Sequence, residues 1–85
     1  MKDVFFAVGD PRRRHILELL SRREHSVGEL AAELGIAQPS VTQHLALLRD
    51  VGLVTASRRG TSSIYRLEPA GLAPVSTWIG TIAPE

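Results

Sequence analysis

The chain has 85 residues, which is enough for one small domain and too few for a large hydrophobic core. It contains no cysteine, so disulfides, thiolate metal sites and cysteine nucleophiles are excluded. No apolar run approaches the roughly 20 residues that cross a bilayer, and the N-terminus lacks the long apolar core of a secretory signal. We therefore expect a cytoplasmic protein that forms a single domain over residues 1–85 and has no membrane partner.

Arginine accounts for nine of the ten basic residues, although the formal net charge is only +1. The arginines cluster at positions 12–14, 22–23 and 58–59. Arginine suits bidentate contacts with phosphate better than lysine does. A charged cluster is also typical of a helix end that simply faces water. Taken one at a time, the clusters favour the solvent-facing interpretation.

The N-terminal segment predicts two helices. The apolar stretch at residues 3–8 is typical of a short helix. Asp10 followed by Pro11 is a helix start, with aspartate as the N-cap and proline at the first helical position. The helix that begins there carries isoleucine and leucine at helical spacing and ends at residues 22–25.

The middle of the chain predicts a helix-turn-helix unit. Ser26 and Glu29 have the spacing of a capping box, which opens a helix that continues to Leu34. Gly35 ends that helix, and a second helix occupies residues 38–51. Helices of about nine and thirteen residues, joined by a four-residue turn, are typical of this unit.

The C-terminal third predicts a β-hairpin and a last helix. Residues 53–58 and 62–67 are rich in β-branched residues and serine, and they flank the turn at residues 59–61. The tail at residues 72–82 has an apolar stripe at helical spacing, and Pro74 fits only if it lies in the first turn. The predicted fold is therefore mainly α with one β-hairpin.

The predicted helix at residues 38–51 has two faces of different chemistry. Val41, Leu45 and Leu48 recur at the spacing of a buried stripe. The opposite side carries short, uncharged residues: Ser40, Thr42, Gln43 and Ala46. Such side chains let a helix approach the DNA major groove, where glutamine pairs with adenine and the methyl groups of alanine and threonine contact thymine. Ordinary surface composition explains the helix alone equally well.

Several basic groups would share a surface with this helix. Arg58 and Arg59 follow it directly in the hairpin, or wing, at residues 57–62, and could reach phosphates or a narrow minor groove. Arg13 lies at a helix N-terminus, where free amides also favour phosphate. The combination favours double-stranded DNA as the partner. The alternative is a winged-helix module that binds only proteins, which the near-zero net charge and the apolar termini support.

Four segments together resemble the ArsR family of bacterial winged helix-turn-helix transcription regulators. They read DPRRRHILELL at 10–20, SVGELAAELGI at 26–36, QPSVTQHLALLRDVGLV at 38–54 and YRL at 65–67. The resemblance implies a dimeric repressor that binds a palindromic operator through two copies of the helix at residues 38–51. It assigns DNA contacts to Gln38, Ser40, Thr42, Gln43, Arg58 and Arg59, with His44 nearer to the DNA backbone than to a base.

The resemblance also implies a homodimer through the first and last helices. The residues expected at that interface are Val4, Phe5, Val8, Leu72, Val75, Trp78 and Ile79. Metal-sensing relatives carry paired cysteines where this chain has Ser26 and Gly28, or His and carboxylates on the last helix, which has neither over residues 70–82. We therefore expect no metal site and no cofactor, and the inducer is unknown. A catalytic triad, a phosphate-binding loop and a ligand cluster are all missing from the sequence, so we expect no enzyme activity.

Overall fold

The computed structural model describes residues 2–85, which form five α-helices, a 3₁₀ turn and a small antiparallel sheet. The elements in chain order are α1 (Val4–Val8), α2 (Pro11–Arg22), β1 (His25–Ser26), α3 (Val27–Leu34), α4 (Gln38–Asp50), β2 (Val54–Arg59), β3 (Ser62–Leu67), the 3₁₀ turn (Pro69–Leu72) and α5 (Ala73–Ile82). The mainly helical fold with a hairpin is therefore confirmed. In the described part of the chain, no helix is long and apolar enough to cross a membrane.

The starts of the first three helices follow from side chains that accept backbone N–H bonds. Asp3 caps α1, and the Asp10 carboxylate accepts from the first amides of α2. The predicted capping box is present at α3, where Ser26 and Glu29 each accept a backbone N–H of the other. Gly35, at φ 67°, ends α3 in the left-handed region that glycine adopts without strain. These local bonds explain why the helix positions could be predicted closely.

The sheet has the strand order β1-β3-β2, and all its pairs are antiparallel. Strand β2 begins and ends one residue later than predicted, because Arg59 still pairs with Ser62. The connection is thus a two-residue turn, in which Gly60 has φ 63° at the first position, as a type II′ turn requires. Strand β1 was not predicted. It pairs His25 with Tyr65, so a short segment before α3 is held against the hairpin.

The core lies where α2, α3 and α4 meet the base of the hairpin. Its largest fully buried side chains include Ile16, Leu30, Leu45, Leu48 and Leu53. Burying one such side chain fully is worth about 1.5–3 kcal/mol. The helix-turn-helix is therefore held rigidly by its inner face, which fixes the direction of its outer face.

The tail packs back onto the start of the hairpin before it becomes a helix. Gly71 lies in the 3₁₀ turn, where an added Cβ would be 2.2 Å from the backbone oxygen of Gly52. Helix α5 begins at Ala73, and Pro74 lies in its first turn as expected. Leu72 precedes the helix, so it is not part of the predicted helical stripe.

Candidate nucleic-acid interface

Helix α4 has a fully buried face and an exposed face. Val41, Leu45 and Leu48 each have 0% of their surface exposed. On the outside, Thr42, Gln43 and Ala46 are exposed, and Ser40 is half-buried to one side. The expected orientation of the helix is therefore confirmed. A row of short, uncharged side chains faces solvent.

The N-terminus of α4 lacks the side-chain cap that α2 and α3 have. Ala37 is the N-cap residue, and within residues 2–85 no side chain accepts a hydrogen bond from the amides of the first turn. Gln38 and Pro39 are the first two helical residues. Proline has no N–H, and the Ser40 amide donates to the Ala37 carbonyl at 3.1 Å, so among the described residues the Gln38 amide is the first-turn donor left without an acceptor. A free amide at the positive end of a helix dipole favours a negatively charged group.

A polar cleft of about 350 Å³ lies beside this helix start, between the first turn of α3 and the wing. Its lining residues carry hydroxyl, amide or small side chains: Ser26, Val27, Gly28, Gln38, Thr61, Ser62 and Ser63. The side-chain nitrogen Nε2 of Gln38 would lie 3.6 Å from a Cβ added at Gly28. The Gln38 side chain therefore reaches across the cleft toward α3. The wing hydroxyl groups at residues 61–63 were not among the predicted contacts. The run of Thr and Ser directly after Gly60 was the signal for them.

The two wing arginines differ in their surroundings. Arg58 is exposed, and in the described residues it has no ion-pair partner. Arg59 forms an ion pair with Glu24, which lies between α2 and β1. This pair joins residues 35 positions apart, and the sequence offered no signal for it.

The structure places Arg13 differently from the expectation that it contacts phosphate. Its Nε donates to the Ala7 carbonyl at 2.8 Å and its Nη2 to the Phe6 carbonyl at 3.1 Å. The guanidinium also lies 5.2 Å from the centre of the Phe6 ring. Arg13 therefore closes the C-terminal end of α1. We leave it out of the proposed interface.

The N-terminus of α2 is likewise occupied by the protein itself. Asp10 Oδ1 accepts from the backbone amides of Arg12 and Arg13 at 2.8 and 3.1 Å. The bond from the Arg13 amide is the main reason that the pKa of Asp10 is lowered, and the nearby charge of His44 adds a smaller effect. His44 itself is half-buried, at the side of α4 that faces α2. A phosphate at this helix start would have to displace the Asp10 carboxylate.

The other two histidines lie apart from α4. His25 is 3% exposed, and its Nδ1 lies 2.9 Å from the Arg23 carbonyl oxygen. His15 is exposed on α2. Over residues 2–85, no three histidine or carboxylate side chains come close enough together to hold a metal ion.

The terminal helices present an apolar surface. Its exposed members are Phe5, Phe6, Trp78, Ile79 and Ile82, each exposed by 42–59%. Phe5 and Trp78 meet edge to face with ring centres 5.9 Å apart, so α1 and α5 lie side by side. Of the residues expected at a dimer interface, Val4, Val8 and Leu72 pack instead against the protein's own core, and Val75 is half-buried.

Comparison with known proteins identifies the family. The model of the family described as "Bacterial regulatory protein, arsR family" matches residues 10–56, more than half of the chain. The HTH-type transcriptional regulator Rv2034 of Mycobacterium tuberculosis is 42% identical over 71 residues, covering 84% of this chain and 66% of that protein. The transcriptional repressor SdpR of Bacillus subtilis is 33% identical over 79 residues, covering 93% of this chain and 88% of that protein.

Solved structures agree with this result. An ArsR-like transcriptional regulator from Rhodococcus sp. RHA1 superposes with a TM-score of 0.84 at 32% identity, covering 93% of this chain and 72% of that one. HlyU from Vibrio cholerae N16961 superposes with a TM-score of 0.78 at 30% identity, covering 96% and 89% of the two chains. Some relatives are longer: the chain spans 66% of Rv2034 and 51% of the M. tuberculosis regulator KmtR. With this fold, this helix-turn-helix and these relatives, the chain belongs to the ArsR family of bacterial regulatory proteins.

Proposed function

We propose that the protein is a dimeric transcriptional repressor that binds a palindromic DNA operator. The observation that carries the proposal is the exposed, short and uncharged face of α4, opposite a face that is wholly buried. A helix held in this way can enter the major groove without long charged side chains that would keep it away from the base edges. Acting on bacterial DNA would place the protein in the cytoplasm, and the proposal assigns it no catalytic step and no cofactor.

The base contacts come from the outward side of α4. Gln43 offers the amide that pairs with adenine N6 and N7, and Thr42 offers a hydroxyl and a methyl group. Ser40, at the edge of this face, suits a base or a phosphate. Gln38 lies at the helix start in the polar cleft, where a DNA strand would pass.

The backbone contacts come from the groups around the polar cleft. The Gln38 backbone amide, at the positive end of the α4 dipole, can donate to a phosphate. The wing hydroxyls at residues 61–63 can donate to a second phosphate. Arg58 adds an exposed positive charge on the same hairpin. Arg59 belongs to this set only when it leaves Glu24. His44, half-buried at the side of α4, would lie nearer to the DNA backbone than to a base.

The dimer forms through the exposed apolar surface of α1 and α5. Phe5, Trp78 and Ile79 supply its centre, and Phe6 and Ile82 extend it. A two-fold axis there would give two α4 helices that enter successive major grooves. The operator would then be a palindrome with half-sites about 34–36 Å, or one helical turn, apart.

One experiment separates this function from its main alternative, a module that binds only proteins, which the exposed apolar surface favours. Duplexes bound by the pure protein are selected from a random DNA pool, and the mass of the complex is measured by light scattering. We expect a palindromic consensus, two protein chains per duplex, and affinity that falls steeply with salt as counterions are released. Failure to enrich any sequence, together with salt-insensitive binding, would overturn the proposal in favour of the alternative.

A further inference from the structure

The ion pair between Arg59 and Glu24 holds a wing residue against the body of the protein. The side chain of Glu24 is 32% exposed and that of Arg59 is 65% exposed. The Glu24 Oε2 atom that faces Arg59 Nη1 is shielded from solvent and accepts no hydrogen bond from the described residues, so the pair is held by opposite charge. The carboxylate therefore lies beneath the guanidinium, at the place where the wing meets the end of α2.

Three other arginines lie on the same part of the surface as Glu24. A shallow cleft of about 260 Å³ is lined by Glu24 and by three arginines, Arg22, Arg23 and Arg66. Arg23 binds the backbone oxygen of Glu24 at 3.0 Å, and its charge is directed to Glu29 Oε2 at 3.5 Å. Over the described range, Arg59 is thus the cation that pairs with the Glu24 carboxylate.

The neighbouring wing arginine provides the comparison. Successive side chains on a strand point to opposite faces, so Arg58 cannot take the same position relative to Glu24. Arg58 is exposed, with no ion pair found within residues 2–85. Within residues 2–85, the wing therefore offers one arginine without an ion pair, Arg58, and one whose charge is opposed by a carboxylate, Arg59.

We propose that Glu24 competes with DNA phosphate for Arg59, so that the DNA affinity of the wild-type protein is lower than the wing could provide. The proposal rests on the proposed DNA-binding function. The positive charge that attracts the Glu24 carboxylate is the one that would attract a phosphate, so the two anions compete for Arg59. Glu24 then sets the affinity without touching DNA.

The test is a double-mutant cycle with Glu24→Gln, Arg59→Gln and the double variant. Binding to the selected operator and to a random duplex is measured by fluorescence anisotropy at several salt concentrations. An exposed ion pair of this kind corresponds to an affinity change of about two- to five-fold. We therefore expect Glu24→Gln to tighten binding to both duplexes by that factor. We also expect the slope of log affinity against log salt concentration to become steeper by up to about one unit, which corresponds to one more phosphate contact.

The control is Glu33→Gln, which removes the same charge from an exposed position on α3. In the described residues, the Glu33 carboxylate has no ion-pair partner. We expect it to tighten binding less than Glu24→Gln does. We also expect Arg59→Gln to weaken binding more in the Glu24→Gln background than in the wild type.

Three results would overturn the proposal. In the first, Glu24→Gln and Glu33→Gln increase the DNA affinity equally. In the second, Glu24→Gln increases the affinity by the same factor when Arg59 is replaced. In the third, Glu24→Gln weakens DNA binding, which would make Glu24 a residue that positions Arg59 for DNA. Binding of the wild type is measured first, which separates failure of the proposed DNA-binding function from failure of the competition proposal. If the wild type shows no salt-dependent DNA binding, both proposals fail. Thermal unfolding of each variant shows that the fold is retained.

Discussion

Two carboxylate side chains, Asp10 and Glu29, each accept hydrogen bonds from backbone amides at the start of a helix. The pKa of Glu29 is lowered mainly by the hydrogen bond that it accepts from the Ser26 backbone amide, as that of Asp10 is by the Arg13 amide. Each pKa is lower in the folded protein than in the unfolded chain, so the unfolded chain binds more protons in acid. The stabilisation is complete above the unfolded pKa of about 4 and is lost as the pH falls through the folded pKa.

Replacing Asp10 tests this account at the residue scale. We expect Asp10→Asn to keep the cap, and therefore most of the stability at pH 7, because asparagine is an equally good N-cap residue. Its free energy of unfolding should fall less than that of the wild type as the pH drops from 5 to 2. Asp10→Ala, which removes the cap, should cost about 1 kcal/mol at pH 7. Urea unfolding across this pH range is the measurement, and an unchanged acid dependence in Asp10→Asn would contradict the account.

At the scale of elements, the helices could be predicted because their signals are local. Asp10, Ser26, Glu29 and Gly35 each act within four residues of the boundary that they define. Strand β1 could not be predicted, since its pairing depends on Tyr65 and Ile64, about 40 positions further along the chain. The hairpin was placed within one residue, and the offset arose from the two-residue turn.

The difference between local and long-range signals also explains which site residues could be predicted. The outward direction of Thr42 and Gln43 follows from helical periodicity alone. The bonds of Arg13 and Arg59 depend on which distant atoms the fold brings near, namely the last carbonyls of α1 and the Glu24 carboxylate. Sequence identifies an arginine as a possible phosphate ligand. Only the fold shows whether its donors are already used.

The junction between the hairpin and α5 gives a prediction at this scale. Gly71→Ala should destabilise the protein by about 1–3 kcal/mol or more, because the new Cβ would lie 2.2 Å from the Gly52 oxygen. Gly80→Ala, inside α5, is the matched control. A Cβ there has no neighbour within 4 Å among the residues that the structure describes, so we expect a gain of about 0.5–1 kcal/mol. Urea unfolding at one fixed protein concentration measures both, and equal effects would disprove the close contact.

At the scale of the whole molecule, the protomer is more extended than its length requires. Its radius of gyration is 13.3 Å and its longest dimension is 44 Å, against a radius of about 12 Å for a compact chain of this length. Large apolar side chains remain exposed on the terminal helices, where Trp78 is half exposed and Ile82 is 59% exposed. A second copy of the chain would cover this surface.

The proposed dimer predicts a specific loss. Ile79→Ser should weaken self-association by about tenfold or more, because each large apolar side chain buried is worth about 1.5–3 kcal/mol and two-fold symmetry counts it twice. Thr77→Ala, on the other side of the exposed helix α5, should leave it unchanged. Sedimentation equilibrium over a range of protein concentrations measures the dimer constant. Equal behaviour of the two variants would place the interface elsewhere.

The central claim is that the exposed face of α4 contacts base edges, and Gln43→Ala tests it most directly. Binding of this variant is measured on the selected operator, on each single-base variant of it and on random DNA. Ser21→Ala is the neutral control, because its hydroxyl already donates to the Glu18 carbonyl at 2.6 Å. We expect Gln43→Ala to lose about 1–3 kcal/mol on the operator, to lose its preference at one base pair in each half-site, and to bind random DNA as the wild type does. Equal losses on the operator and on random DNA would contradict the claim.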